Sequence, residues 1–274
     1  MTKLSIITIN LNNREGLSKT IESVKTQTWK NFEHIIIDGA STDGSVDVIK
    51  KNQNGISFWM SEADKGIYDA HNKGILNAKG EYCLFLNSGD FLVNDFVLEK
   101  IFEKNLATDI IYGDMLIDDG KGNVLYGKSP DSLNLSFLAY GVLWHSVTFI
   151  KRKLFDEYGL YDTSYKIVSD VDFFLKAIGV GKASFSYVPI AVSQFNTLGF
   201  GSDPKNALLL EKERELSRTT HLSQLLVETL KMIQEMQTEL HMYKTSNSFR
   251  LINKLRNNKN LSKLYRLLRG KANG

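Results

Sequence analysis

The chain has 274 residues, 42% of them hydrophobic and 24% charged, which suits one large domain with a full core plus an appendage and argues against disorder. No run approaches the roughly 20 apolar residues that cross a bilayer. The N-terminal "MTKLSIITIN" enters a strand-like run at once, without the apolar segment and cleavage site of a signal peptide, so a cytoplasmic location is expected.

Strand-like and helix-like patterns alternate from the start. "LSIITIN" reads as a buried strand, "REGLSKTIESVKTQ" as an amphipathic helix with Leu17, Ile21 and Val24 on one face, and "FEHIIID" as the next strand. A short helix in "DGSVDVIKKN", a strand in "ISFWM", a helix in "DKGIYDAHNKGILNA" and a fourth strand in "EYCLFLN" follow. The lone cysteine, Cys83, falls in that fourth strand and reads as a core residue. Such alternation predicts parallel strands with crossover helices, an α/β layer fold. Ligands in such sheets sit beyond the carboxyl ends of the strands, where Asn10, Asp38, Asp64 and Asp90 would gather. From about 108 to 200 the pattern is mixed, with strands in "DIIYGDML", "NVLYGK", "SVTFIKR" and "ASFSYVPIAVSQF" and helices near 151–157 and 169–178. This half is expected to extend the sheet with antiparallel strands and to form the second wall of a cleft.

From about residue 204 the signal is helical without interruption. Leu222, Leu226, Thr229, Ile233, Met236, Leu240 and Tyr243 recur in steps of four and three, a heptad seam with one polar break. Two readings fit it equally: a homodimer through a coiled coil, or a helix packed on its own catalytic domain. Residues 245–274 hold eight Lys or Arg and no Asp or Glu, which leaves residues 1–244 with 26 basic against 31 acidic residues. Apolar residues fall on helical faces amid those cations, the pattern of a basic amphipathic helix that lies on a membrane surface. Nucleic acid competes for such charge, but no recognised motif accompanies it and none is expected as a partner. The division is therefore 1–203 for a catalytic domain, 204–244 for a helical extension and 245–274 for the basic tail.

"EYCLFLNSGD" ends a buried strand in small polar residues and one carboxylate, Asp90, which fits either a turn or an oxygen ligand held at a strand end. The first turn, "NLNNREG", has no G-x-G-x-x-G, which argues against a nicotinamide enzyme even though Asp38 closes the second strand. Taken together, "SIITINLNN", "IIIDGASTDGS", "SEADKGIYDAHNKGI", "LFLNSGD" and "IVSDVDFFLK" resemble, in order and spacing, the family 2 glycosyltransferases of the GT-A fold, in particular the bacterial branch that builds surface polysaccharides. The resemblance covers roughly residues 3–200. It implies a GT-A, Rossmann-like mixed sheet flanked by helices, here with a C-terminal helical extension. It also implies transfer of a sugar from a nucleotide-sugar donor to a glycan or lipid-linked acceptor, with inversion at the anomeric carbon.

By that resemblance Thr8, Asn10, Asp38, Asp64 and Ser88 contact the nucleotide, while Tyr68 and Asn72 stand near the cleft. Read from the residues alone, Asn10 and Asp64 serve as helix or strand-end caps equally well. The family usually carries an Asp-x-Asp run where this chain has "NSGD", with Asn87 at the place of the first acid. Asp90 is then the ligand of Mg²⁺ or Mn²⁺ on the donor diphosphate, since hard cations often take only one or two protein carboxylates. Asp170 matches the family's base, and burial or a neighbouring acid is expected to raise its pKa from the usual 4 or so. His145 is an alternative base, a phosphate contact or a structural histidine, and His71 a local variation. "NTLGFGSD" resembles a flexible acceptor-side loop. A catalytically silent nucleotide-sugar-binding scaffold is the competing function; a nucleotidyltransferase lacks its basic glycine-rich loop.

Overall fold

The computed structural model describes residues 2–197, 199, 201, 203–246, 249 and 250. Four parallel strands, β1 (Leu4–Asn10), β2 (Phe32–Asp38), β3 (Phe58–Ser61) and β4 (Tyr82–Phe85), lie in the order β3-β2-β1-β4. Helices α1 (Arg14–Lys25), α2 (Ser45–Lys51) and α3 (Ile67–Asn77) make the crossovers. The strands are apolar on both faces because helices or further layers cover both, as parallel sheets require. The face of α1 carrying Leu17, Ile21 and Val24 is buried, at 0%, 3% and 1% exposure, as its periodicity predicts. Register places Asn10 opposite Asp38, and Asp38 opposite Ser61, so the polar residues that end three strands meet at one edge.

Beyond β4 the sheet continues through β8 (Thr148–Lys151), β6 (Ile110–Asp118), β9 (Phe185–Asn196) and β5 (Phe91–Leu92), with β7 (Val124–Gly127) paired to β6. β8 runs antiparallel to β4 and β6, whereas β9 is parallel to β6, so the extension is mixed. α4 (Val97–Phe102), α5 (Leu135–Tyr140), α6 (Lys153–Tyr158) and α7 (Ser169–Phe174) complete this half, and α7 runs on into a π-helical stretch, Leu175–Val180. A contiguous core joins the halves, with Tyr82, Leu84, Leu86, Phe149 and Val192 in one cluster. β5, α4 and α5 are absent from the sequence reading, β5 because two strand residues are too few to show a period.

The expectation of unbroken helix from residue 204 is corrected. α8 (Ala207–His221) ends at Leu222, whose backbone is extended, and α9 (Gln224–Thr245) restarts behind Ser223, whose hydroxyl accepts from the Leu226 N–H at 3.4 Å. A serine at an N-cap offers the backbone a partner that competes with helix continuation. α8 belongs to a first compact unit that ends at Leu222, while the described residues from Ser223 onward belong to a second. The sequence division at 203 thus falls inside the first unit. Leu222 drops out of the heptad seam, and within α9 the seam residues Met236, Leu240 and Tyr243 are half or more exposed. The basic tail from 251 onward, and part of "NTLGFGSD", lie outside the described residues. Among the described residues no helix is long and apolar enough to cross a membrane.

Candidate active site

At the ends of β1 to β3 a polar cluster is built around Asp38. Asn10 Nδ2 donates to its Oδ1 at 2.7 Å, while the Ser41 N–H and the Ser61 hydroxyl donate to Oδ2 at 3.0 and 2.6 Å. Burial would raise the Asp38 carboxyl, but these hydrogen bonds outweigh it and hold the pKa below its ordinary value. Asp38 is fully buried and both its oxygens are engaged by the protein. Asp64 leans on the same edge: its Oδ1 accepts from the Gly66 N–H, and a Cβ at Gly39 would stand 2.7 Å from its Oδ2. Thr8 points the other way, pairing with His34 Nε2 at 3.0 Å, and burial lowers that histidine to about 4, so it is neutral. Asn72 grips Tyr161, donating to its carbonyl and accepting from its N–H. Thr8, Asn10, Asp38, Asp64 and Asn72 do not line the principal cleft; Tyr68, Ser88, Asp90, His145 and Asp170 do.

That cleft, about 660 Å³, opens between the end of β4, the start of α3, the turn at His145–Val147 and the start of α7. Its floor is the Asn87–Asp90 loop, held by α1. Thr20 Oγ1 donates to the Asp90 carbonyl at 2.7 Å and accepts from the Gly89 N–H at 3.0 Å, and Asn13 Nδ2 donates to the Ser88 carbonyl at 2.9 Å. Gly89 has φ +105°, a left-handed conformation that a side chain would strain. The loop therefore turns sharply and brings Asp90 back under the cleft. Asp90 is 5% exposed, and its Oδ2 has no hydrogen-bond partner. Burial pushes its pKa up to about 7, against a smaller lowering by His145.

Asp170 meets the opposite treatment. His145 Nδ1 lies 2.9 Å from its Oδ2, and the Tyr68 hydroxyl, whose single proton is shared between the Ile167 carbonyl at 2.5 Å and Asp170, lies 3.0 Å from its Oδ1. Burial pulls its pKa upward, but the hydrogen bond and charge of His145, with Tyr68, win and hold it below the ordinary carboxylate value. The sequence expectation of a raised pKa is therefore corrected: charged partners decide the sign. For His145, burial lowers the pKa, yet Asp170 and then Asp90 lift it above its usual value. A carboxylate accepts, so Nδ1 carries the proton; in the neutral ring Nε2 accepts from Asn87 Nδ2 at 3.2 Å, while Asn87 Oδ1 accepts from His71 Nε2 at 2.8 Å. Burial drops His71 to about 3, and it stays a neutral donor. Asn87 therefore couples two histidines, and His71 holds the Asn87 amide in place; neither role was read from the sequence. The N-terminal asparagine Asn13 and the helical Thr20 were missed too, since nothing local marks a residue that touches a loop 70 positions away.

α8 closes the far wall. Glu213 accepts from the Lys166 and Ile167 N–H groups at 2.8 and 2.9 Å, and His221 Nε2 lies 2.9 Å from Asp172 Oδ1. Both sides of Asp170 in the chain are thus tied to a helix 40 to 50 residues later.

Residues 5–162 match the family model described as glycosyl transferase family 2. An uncharacterized glycosyltransferase of Mycobacterium tuberculosis (strain CDC 1551 / Oshkosh) is 33% identical over 206 residues, covering 73% of this chain and 77% of its own length. A PGL/p-HBAD biosynthesis glycosyltransferase of Mycobacterium bovis (strain BCG / Pasteur 1173P2) is 28% identical over 201 residues, covering 71% and 77%. Among solved structures, S. aureus TarS residues 1–349 in complex with UDP-GlcNAc superposes with a TM-score of 0.65 at 17% identity, over 83% of this chain and 70% of that one. The mannosyltransferase PcManGT of Pyrobaculum calidifontis, in complex with GDP-Man and Mn²⁺, gives a TM-score of 0.54 at 16% identity, over 84% and 64%. The chain belongs to glycosyl transferase family 2 and has the GT-A fold.

Divalent metals are common in such enzymes. Among the described residues no three His, Cys, Asp or Glu converge to cage one. The orphaned Oδ2 of Asp90, at the cleft, nonetheless suits a hard cation that draws its remaining ligands from phosphate and water.

Two expectations follow. The native state holds a proton on Asp90 between about pH 4 and 7 that the unfolded chain has lost, so in metal-free protein this group lowers stability as pH rises through that window. Asp90→Asn removes the effect, and urea denaturation in EDTA should show it gaining on the parent by up to ~4 kcal/mol from pH 4 to 8; a pH-independent difference refutes the assignment. Asn87→Asp replaces an N–H donor at His145 Nε2 with an acceptor, so NMR titration should show the His145 midpoint rising above that of the parent, and an unmoved or lowered midpoint refutes the pairing.

Proposed function

We propose that this chain transfers a sugar from a UDP-sugar, a hexose or N-acetylhexosamine, to a hydroxyl of a glycan or lipid-linked acceptor, with inversion, in the assembly of a bacterial surface glycan. The observation that carries the reading is one cleft with two buried carboxylates of opposite character: Asp170, kept ionised by His145 and Tyr68, and Asp90, left with an unpartnered oxygen. Family membership, the surface-glycolipid name of the M. bovis relative and the UDP-GlcNAc bound by TarS support the donor and product classes.

In this reading the acceptor oxygen attacks the anomeric carbon, the bond from that carbon to the diphosphate breaks on the opposite face, and the hydroxyl proton passes to Asp170. A base with a low pKa is weak, but it is wholly deprotonated at neutral pH. The attacking hydroxyl becomes far more acidic as its oxygen bonds to carbon, so the transfer is downhill late in the step. His145 and Tyr68 fix the carboxylate's direction, and His145 offsets its negative charge. Asp90, with Ser88 beside it, would hold Mg²⁺ or Mn²⁺, which supplies Lewis-acid neutralisation of the leaving diphosphate. The base and ribose lie over the ends of β1 to β3. There Asp64 stands at the edge, Asn10 and Asp38 set the rim through Ser41 and Ser61, and Thr8 supports β1 from beneath through His34.

Asp170→Asn should cut UDP release from a UDP-sugar by 10²- to 10⁴-fold, while calorimetric UDP affinity with Mn²⁺ remains near that of the parent. An unchanged rate removes Asp170 as base.

The seam of α9 is proposed to pair two copies, and the basic tail to bind anionic membrane on the cytoplasmic side. Truncation after Tyr243 should abolish sedimentation with phosphatidylglycerol vesicles and leave turnover of a soluble acceptor in place; retained vesicle binding refutes the tail's role.

A further inference from the structure

The charged side chains of α8 are unequally satisfied. Glu213 is engaged by two backbone amides, and Arg218 by Glu211 and Glu215 at 2.6 and 2.8 Å, with its ring-plane contact on Tyr140. His221 pairs with Asp172. Arg214 lies between them on the same helix, lines the cleft and is only partly exposed, yet its Nε is buried without a hydrogen-bond partner. No described residue forms a salt bridge with it, because the nearby Glu211 is taken by Arg218. The charges it feels are those of Glu211, Arg218 and, more weakly, Asp170. Burial works against its charge, but a guanidinium stays protonated, so its donors wait for an anion from outside the fold.

Its position is not adjustable by a long arm alone. The preceding residue, Glu213, fastens α8 to the backbone of Lys166 and Ile167, and the Ile167 carbonyl in turn accepts from Tyr68 Oη. Lys166 also lines the cleft, is exposed and makes no salt bridge among the described residues. One clamp therefore brings two uncompensated cations to the wall that carries Asp170.

We propose that Arg214, with Lys166 on the same wall, is a phosphate-binding subsite that holds a phosphoryl group of the substrates beside Asp170. A planar fork of donors matches phosphate oxygens two at a time, and it offsets the two carboxylates that an anionic substrate would otherwise meet in this cleft. The phosphate has two sources, the donor's diphosphate or a phosphate borne by the acceptor. The first rests on the nucleotide-sugar reading above.

Calorimetry on the full chain separates them, with UDP, uridine and pyrophosphate as titrants and pyrophosphate repeated on UDP-saturated protein. Arg214→Ala should weaken a phosphate-bearing titrant by about 10- to 100-fold and leave uridine unmoved, and Arg214→Lys should recover part of the loss. Loss in UDP assigns the subsite to the donor; loss only in pyrophosphate added over bound UDP assigns it to the acceptor. Phosphate affinities in Arg214→Ala within twofold of the parent overturn the subsite, as does an equal loss for uridine. Should the parent chain bind pyrophosphate through Arg214 but neither UDP nor uridine, the donor reading fails while the subsite stands.

Discussion

A carboxylate that must remain charged inside the protein governs the arrangement around it. Asp170 is 8% exposed, and an ion in that setting persists only when hydrogen bonds and an opposite charge replace the water it has lost. Those partners come from distant parts of the chain: Tyr68 from the start of α3 and His145 from the turn before β8. Each is held in turn, Tyr68 by the Ile167 carbonyl and His145 by Asn87, which leans on His71. Removing any link leaves a buried polar group unpaired, which costs about 1–3 kcal/mol and more for an ion. The network is consequently a geometric specification for Asp170 as much as a source of stability.

The same cleft treats its second carboxylate in the reverse manner. Asp90 is as deeply buried, but no donor faces its Oδ2, so desolvation outweighs the smaller lowering by His145 and the proton is retained to about pH 7. Two acids with pKa values driven apart by their surroundings are suited to two tasks, and this separation is what an enzyme needs of them. His145 lies within electrostatic reach of both. Its neighbours pull in opposite senses: Asp170 favours the imidazolium, whereas the Asn87 N–H aimed at Nε2 favours the neutral ring. Asn87 thereby acts as a brake on His145.

The match to the family model ends at residue 162, before Asp170 and well before α8. Yet α8 is part of the same compact unit and is the element that fixes the 165–168 segment through Glu213 and α7 through His221. The wall that carries Asp170 is thus completed by a helix that a division by sequence assigns to an appendage. Helical segments after a sheet are readily seen as additions because their periodicity is local, while the contacts that make them part of a site are not.

Much of the frame was legible in the residues. Alternating apolar runs and amphipathic stretches located β1 to β4 and their crossover helices, because periodicity is a local consequence of which face is buried. The carboxyl ends of those strands marked Asp38 and Asp90, and the helix-opening "SDVD" marked Asp170. What the residues could not convey is how these groups are partnered. Thr8 reads like a strand-end contact but turns to His34; Asn72 reads like a cleft residue but braces Tyr161; the sign of the Asp170 shift reversed because His145, 25 positions earlier, lies at 2.9 Å. Thr20, Glu213 and Arg214 carried no motif at all, and Asn13 closes the "SIITINLNN" stretch without a sign of its contact at Ser88. By itself the sequence determined most of the elements and the order of the strands' polar ends, set by local backbone preference and hydrophobic period, and its motifs carried the resemblance to the family. Only the tertiary structure decided which acid is charged, which is protonated and which cations are left without an ion pair among the described residues, because burial and hydrogen bonding depend on neighbours brought together from across the chain.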